Sequence, residues 1–379
     1  MAAYLHAMKI SLPARNDSTK VRQLRKPEVL ETTLRDGSYA IDFRFTANDT
    51  ALIASALESA GFELIEIGHG IGLNASNCGK GVAAETDEAY LKAASESLKR
   101  ARFGMFCIPG IARLEDIDMA ADYGMGFIRI GTNVTEMEQS EEFIARARRH
   151  GMFISSNFMK SYAMPPEEFA EKAKLAQKFG SDVLCIVDSA GGMLRADVEA
   201  YFTAVQSRCD IPLAYHGHNN LGLAVSHSLR AVELGAVIID SSLQGLGRSA
   251  GNAPTEILVV ALKRMGIDLA IDPLKVMDIS EKYVKPLLTT KGIDSIDVIS
   301  GYSQFHSSYM QTIRKYSDKY QIDPRKLIMD VCKVDKVHAP EELVERIARE
   351  IAKQREEVYT ARFRLDKFHG AEQDDDRGK

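Results

Sequence analysis

The sequence predicts an α/β fold: a closed (β/α)8 barrel with an appended C-terminal helical domain. Three observations carry this expectation. Short apolar runs alternate with amphipathic stretches between about residues 28 and 265. The runs are continuously apolar rather than alternating, the pattern of parallel strands buried on both faces. After Pro286 the alternation stops and only helical periodicity remains.

The strand-like runs, in order, are residues 29–34, 64–68, 103–108, 127–130, 152–156, 183–187, 213–216 and 237–241. The helical stretches that follow them are 49–60, 85–100, 114–123, 140–150, 166–179, 196–208, 221–234 and 254–265. Candidate N-caps are Asn48 or Asp49, Thr86 and Ser140. Glycines 61, 124, 151, 180 and 235 stand at the exits, where a left-handed residue ends a helix. Eight such units in about 250 residues suit a closed TIM barrel. An open doubly wound sheet is the competitor, but it calls for G-x-G-x-x-G after the first strand, and none follows it. Beyond the barrel, helices are expected over 300–320, 324–331, 340–353 and 356–364. The chain thus divides into an N-terminal extension (1–27), a barrel (28–286), a helical domain (287–369) and a flexible tail (370–379).

Composition narrows the function. Apolar residues at 45% and charged residues at 27% are ordinary for a globular chain. A net charge of −5, without a basic stripe interleaved with aromatics, gives no reason to expect nucleic acid as a partner. No run of about 18 apolar residues predicts a membrane span. The first 29 residues are polar and mildly basic and lack the apolar core of a signal peptide. The five cysteines, Cys78, Cys107, Cys185, Cys209 and Cys332, show no paired spacing and are expected to be reduced core residues of a cytoplasmic protein.

The chemistry concentrates in L-A-Y-H-G-H-N-N-L-G. Its first part reads as the seventh strand, and residues i and i+2 of a strand share a face. His216 and His218 therefore aim at one point; taken alone, the spacing equally fits two solvated loop histidines. Asp36, in T-L-R-D-G after the first strand, supplies a third ligand, because strands one, seven and eight are neighbours in a closed barrel. One carboxylate and two imidazoles suit Mn²⁺, Mg²⁺, Zn²⁺, Co²⁺ or Fe²⁺. An ion held there acts as a Lewis acid on the carbonyl and enolate of a 2-oxo acid. Arg35 beside it either stabilises the enolate oxygen or makes a salt bridge on the barrel rim. The glycine-rich stretch 245–252 follows the eighth strand. It either binds phosphate or lets backbone approach the metal site. Asn252 is a further ligand or a partner of one.

These motifs resemble the DRE-TIM metallolyase superfamily: T-L-R-D-G (33–37), H-G-H-N-N-L-G (216–222) and G-L-G-R-S-A-G-N-A-P (245–254). L-R-D-G-S-Y-A (34–40), I-E-I-G-H-G (65–70), I-P-G (108–110), V-D-S-A-G-G-M (187–193) and G-Y-S-Q-F-H-S-S (301–308) make the chain most similar to the 4-hydroxy-2-oxovalerate aldolases. The resemblance runs from about residue 28 to about 335. It implies a divalent metal, usually Mn²⁺, on Asp36, His216 and His218. It implies retro-aldol cleavage of a 4-hydroxy-2-oxo acid to pyruvate and an aldehyde, or the reverse. Arg35 would hold the enolate oxygen, Ser189 the carboxylate, and Phe106 and Ile108 the aldehyde pocket. The helical domain would dock an acylating aldehyde dehydrogenase, and a homodimer is expected.

The chain departs from that pattern at one pair of positions. Where the aldolases carry a histidine base four residues after the motif arginine, this chain has Tyr39. Where they carry a tyrosine in the helical domain, it has His306. The expectation is that His306 supplies the proton-accepting imidazole and Tyr39 the phenol. Three rival readings exist. A Claisen-type acyl-CoA synthase is disfavoured because Ser38-Tyr39 stands where Glu-Gln is usual. A biotin-dependent carboxyltransferase is disfavoured because Val187, not lysine, precedes Asp188. A catalytically silent scaffold that binds a dehydrogenase is disfavoured by the intact Arg35, Asp36, His216 and His218.

Overall fold

The structure, a computed structural model, describes residues 26–288 and 295–354. Eight parallel strands close into a barrel in chain order. They are β1 (Glu28–Glu31), β2 (Leu64–Glu66), β3 (Arg102–Cys107), β4 (Phe127–Asn133), β5 (Phe153–Met159), β6 (Val183–Asp188), β7 (Leu213–Gly217) and β8 (Ile238–Ser241). Closure pairs Val29 with Ile239 and Glu31 with Ser241, and β8 also pairs with β7. Strands one, seven and eight are therefore adjacent, as expected.

Each strand is followed by a helix on the outer side: α1 (Ala47–Ala60), α2 (Asp87–Ser97), α3 (Leu114–Asp122), α4 (Glu141–Arg149), α5 (Pro166–Phe179), α6 (Arg195–Gln206), α7 (Ala224–Glu233) and α8 (Thr255–Arg264). The N-cap of α1 is Thr46 rather than Asn48 or Asp49. Thr46 Oγ1 accepts the Asp49 N–H while Asp49 Oδ2 accepts the Thr46 N–H, a reciprocal box that stabilises the end by about 1 kcal/mol. Thr86 caps α2 as expected. Ser140 caps nothing, because its hydroxyl donates back to the Met137 carbonyl.

Two apolar layers hold the barrel. Ile53, Leu57, Ile65, Ile67, Phe169, Ile186 and Tyr215 belong to the core between strands and helices. Leu30, Leu64, Phe127, Val183, Ala214 and Ile238 fill the barrel interior. Two residues further along the same strands, on the same inward face, stand Glu66, Arg129, His216 and Asp240. Period-two geometry thus stacks a charged layer directly on an apolar one.

A short helix, α9 (Pro273–Ile279), starts from the Asp272 side chain and was not anticipated. Beyond it lie α10 (Ser295–Ser303), α11 (Met310–Tyr320), α12 (Pro324–Val334) and α13 (Glu341–Lys353), packed around a separate apolar cluster that includes Phe305, Ile313, Leu327, Val331 and Ile347. The single helix expected over 300–320 is broken: Gln304 is left-handed (φ 55°) and residues 304–309 turn before α11 begins. The expected helix over 356–364, most of the N-terminal extension and the tail lie outside the described residues. Among the described residues no helix is long and apolar enough to cross a membrane. All five cysteines are unpaired; Cys107, Cys185 and Cys332 are buried, but Cys78 is exposed rather than in the core.

Candidate active site

Asp36, His216 and His218 converge at the C-terminal mouth of the barrel. Each is buried, and one ligand atom of each lies within 4.8 Å of the others. The strand argument explains why: both histidines leave the end of β7 on one face, and Asp36 follows β1 two strands away. His216 Nδ1 lies 2.8 Å from Asp240 Oδ2. His218 Nδ1 lies 3.3 Å from the Gly251 carbonyl. Both Nδ1 atoms meet oxygen acceptors, so the protons sit there and the two Nε2 lone pairs remain for a ligand. The glycine-rich stretch folds back on itself: Gly245 accepts the Asn252 N–H, and a Cβ at Gly251 would meet the Gly245 carbonyl at 2.0 Å. That close backbone approach brings the Gly251 carbonyl onto His218.

Asn252 donates from Nδ2 to Asp36 Oδ2 at 2.5 Å, and its own Oδ1 is buried without a hydrogen-bond partner. It orients Asp36 from behind. Burial alone would raise the Asp36 carboxyl, but Arg35, the two imidazoles and the Asn252 amide hold it well below the usual range. Burial pushes His218 down to about 4, so the ring is neutral. An ionised carboxylate, two imidazoles and an orphaned amide oxygen fit a divalent cation.

Arg35 is not on a solvated rim. Its Nη1 donates to Asp36 Oδ1 at 2.8 Å and its Nε to Glu66 Oε2 at 2.7 Å, and its guanidinium lies 4.8 Å above the Phe106 ring. Glu66 Oε2 also accepts from Arg129 Nη1 at 2.9 Å, and Arg129 Nη2 donates to Asp240. A continuous network therefore runs from Asp36 through Arg35, Glu66, Arg129 and Asp240 to His216. Sequence reasoning missed Glu66, Arg129 and Asp240. The available signal was a charge inside each of three continuously apolar strands.

A cavity of about 420 Å³ opens above this centre. Arg35, Asp36, Tyr39, Phe106, Ile108, Ser189, His216, His218 and His306 all line it, so every expected site residue except Asn252 reaches it. Ser189 Oγ accepts the Lys160 N–H at 2.9 Å, which leaves its proton for an anion. Tyr39 is buried, edge-on to Phe43 and under the Arg248 guanidinium, 5.2 Å from its ring. His306 Nδ1 accepts the Ser308 N–H at 3.3 Å and lies 2.6 Å from the Ser308 hydroxyl. With Nδ1 accepting a backbone N–H, the neutral ring keeps its proton on Nε2. Burial, Arg248, Lys160 and His218 together hold His306 well below the ordinary imidazole value. Such a ring presents an N–H to the cavity and takes up a proton less readily than an ordinary imidazole. Lys160, Arg248 and Tyr309 also line the cavity and were not singled out in the sequence.

The comparisons with known proteins agree with this geometry. A protein-family model described as HMGL-like matches residues 26–282. The chain is similar to the 4-hydroxy-2-oxovalerate aldolase of Carboxydothermus hydrogenoformans, 37% identical over 330 residues, 87% of this chain and 98% of that one. It is also similar to the 4-hydroxy-2-oxovalerate aldolase of Moorella thermoacetica, at 38% over 332 residues, 87% and 98% of the two chains. Among solved structures, the N-terminal domain of a putative aldolase from Bacteroides vulgatus matches with a TM-score of 0.62 at 22% identity, covering 81% of this chain and 97% of that one. The carboxyl transferase domain of Rhizobium etli pyruvate carboxylase, with pyruvate and biocytin, matches with a TM-score of 0.71 at 17% identity, over 88% of this chain and 61% of that one. At those identities the two structures speak for the shared barrel alone.

Proposed function

The chain belongs to the HMGL-like family, and from that premise we propose that it is a metal-dependent carbon–carbon lyase that splits a 4-hydroxy-2-oxo acid into pyruvate and an aldehyde, or joins the two. The observation that carries this reading is the convergence of Asp36, His216 and His218 below a cavity that also holds Arg35 and Ser189. Family membership implies a divalent metal, for which these three residues are the candidate site; Mn²⁺ is our assignment, with Mg²⁺, Co²⁺ or Zn²⁺ as the other ions of suitable chemistry. When bound, such an ion supplies Lewis-acid polarisation of the 2-oxo group.

The chain's own residues do the rest. Asp36 stays ionised and His218 neutral, so both keep lone pairs turned to the centre. Ser189 donates its hydroxyl proton to the substrate carboxylate. Arg35, held by Glu66 and Asp36, donates to the oxygen on which charge develops as the C3–C4 bond breaks. In the cleaving direction Tyr39 relays the 4-hydroxyl proton towards C3, so that the C3–C4 bond gives way to a C3–H bond in pyruvate and the aldehyde oxygen is left unprotonated. His306 donates a hydrogen bond from Nε2–H to that oxygen. Phe106 and Ile108 line the aldehyde side and present it an apolar surface.

The helical segment, which contributes His306, Ser308 and Tyr309 to the cavity wall, acts in this reading as a lid domain over a barrel of residues 28–286. Docking of an acylating aldehyde dehydrogenase on the helical domain belongs to the same proposal and rests on the family resemblance; a homodimer is proposed with it. A cytoplasmic location is supported by five unpaired cysteines. The test is incubation of Mn²⁺-loaded protein with pyruvate and a panel of aldehydes, following carbon–carbon bond formation by mass spectrometry. No adduct with any aldehyde, or thiol release from acetyl-CoA instead, would replace this reading with the Claisen-type one.

A further inference from the structure

Glu31 ends β1 and is fully buried. On the same strand Leu30 faces the barrel interior and Val29 the layer between strands and helices. Period two therefore turns Glu31 outward with Val29, into apolar packing where a carboxylate is costly unless it is hydrogen-bonded. Its hydrogen bonds come from three places. Thr33 donates its N–H to Oε2 at 2.9 Å and its hydroxyl to Oε1 at 2.6 Å. The Leu243 N–H donates to Oε1 at 3.0 Å and the Thr255 hydroxyl to the same oxygen at 3.2 Å. Leu243 and Thr255 bound the loop that carries Gly251 and Asn252, and Thr33 opens the turn that carries Arg35 and Asp36. One carboxylate thus grips both ends of the loop behind His218 and joins that loop to the turn presenting Asp36. Asn252 donates to Asp36 across the joint. Charged side chains on neighbouring elements are engaged elsewhere: Glu28 on β1 with Arg102, Glu66 on β2 with Arg35 and Arg129, Asp240 on β8 with Arg129 and His216, and Glu256 on α8 with the Gln244 N–H. Burial pushes the Glu31 carboxyl up to about 7 against the pull of its hydrogen bonds. A protonated carboxyl would turn one oxygen into a donor beside two backbone N–H groups that can only donate.

We infer that Glu31 is a positioning residue of the metal centre: its ionised carboxylate, held by Thr33, Leu243 and Thr255 at once, keeps Asp36 and Asn252 in register with the two histidines. This rests on the metal-site reading of Asp36, His216 and His218. Glu31 touches none of those residues and acts through the backbone of the two loops. Metal binding and ionisation of Glu31 then favour each other, because a coupling between two sites is reciprocal.

The test is calorimetric titration of the full chain with Mn²⁺ at pH 6 and pH 8, for wild type and Glu31→Gln. Protons lost from the ligands themselves act alike in both proteins, so the difference between the two isolates Glu31. Wild type should bind about tenfold tighter than Glu31→Gln at pH 8, and the two should converge at pH 6, where Glu31 is protonated. Thr33→Val removes one donor to the carboxylate and should weaken Mn²⁺ about fivefold at pH 8, whereas Thr33→Ser keeps the hydroxyl and should bind as wild type does. A Glu31→Gln loss of the same size at both pH values marks a structural role only and overturns the inference, as does wild-type affinity in that variant at both. Should Glu31→Gln yield no folded protein, the Thr33 pair decides: equal affinity in the Val and Ser variants overturns it. Either of these results leaves the metal centre standing. Wild-type protein that takes up no Mn²⁺ at either pH removes the metal-site reading and this inference together.

Discussion

His216 Nδ1 sits 2.8 Å from Asp240 Oδ2, and Asp240 in turn accepts from Arg129. A metal-type imidazole is thereby anchored to a buried ion network that ends on Arg35, the residue beside the third ligand. The contact fixes the tautomer and the tilt of His216. Burial would raise the Asp240 carboxyl, but Arg129 and His216 hold it below its ordinary value.

Asp240→Asn keeps the shape of the anchor and removes its charge. Mn²⁺ affinity, measured by calorimetric titration, should fall about 10–100-fold, the usual effect of disturbing a partner of a ligand. An unchanged affinity would make the network a structural feature only.

His306 is read here as a neutral N–H donor. His306→Gln places an amide nitrogen where the ring Nε2–H stands and should retain turnover within about tenfold, whereas His306→Ala should lose about 100-fold. Because the ring titrates well below the usual imidazole value, neither change should remove a limb of the pH–rate profile near neutrality. Equal inactivation by Gln and Ala, with loss of an acidic limb, would restore the role of proton acceptor.

His69 stacks on Phe43 at 4.0 Å, lies 3.1 Å through Nε2 from the Gly81 carbonyl and accepts the Ile71 N–H on Nδ1. Burial lowers it from 6.5 to about 4. The folded state therefore binds this proton less readily than the unfolded chain. Its contribution is intact above pH about 6.5 and is lost as pH falls towards 4, by roughly 3 kcal/mol in all. Urea unfolding of metal-free protein should show that loss in wild type and a shallower pH slope in His69→Gln. Identical slopes would contradict it.

Gly131 makes room for Phe106, the ring under Arg35. A Cβ at this position would stand 2.3 Å from the Phe106 ring. Gly131→Ala should cost about 1–3 kcal/mol in urea unfolding and lower kcat/KM by displacing the ring. A variant of wild-type stability and activity would show that the ring has space to move.

The barrel was legible because continuous apolar runs such as residues 183–187, alternating eight times with amphipathic stretches, fit strands buried on both faces. The triad was legible because H-x-H at a strand end has one geometric meaning once the strand is assigned. What stayed hidden has physical causes. Glu66, Arg129 and Asp240 each look like one charge in an apolar strand, and only closure brings them together. The break at Gln304 carries no glycine or proline to announce it. Thr46 and Asp49 share one cap, so the sequence pointed at the wrong half of the pair. Lys160 belongs to the site because β5 ends there in a left-handed turn, a conformation its side chain does not advertise.

The most direct measurement is deuterium uptake into the methyl group of pyruvate in D2O, followed by mass spectrometry with and without one equivalent of Mn²⁺. Uptake that requires the metal and disappears in Asp36→Ala and His218→Ala is the predicted result. Metal-loaded protein that leaves the methyl group unlabelled, or variants that label it at the wild-type rate, would contradict the account.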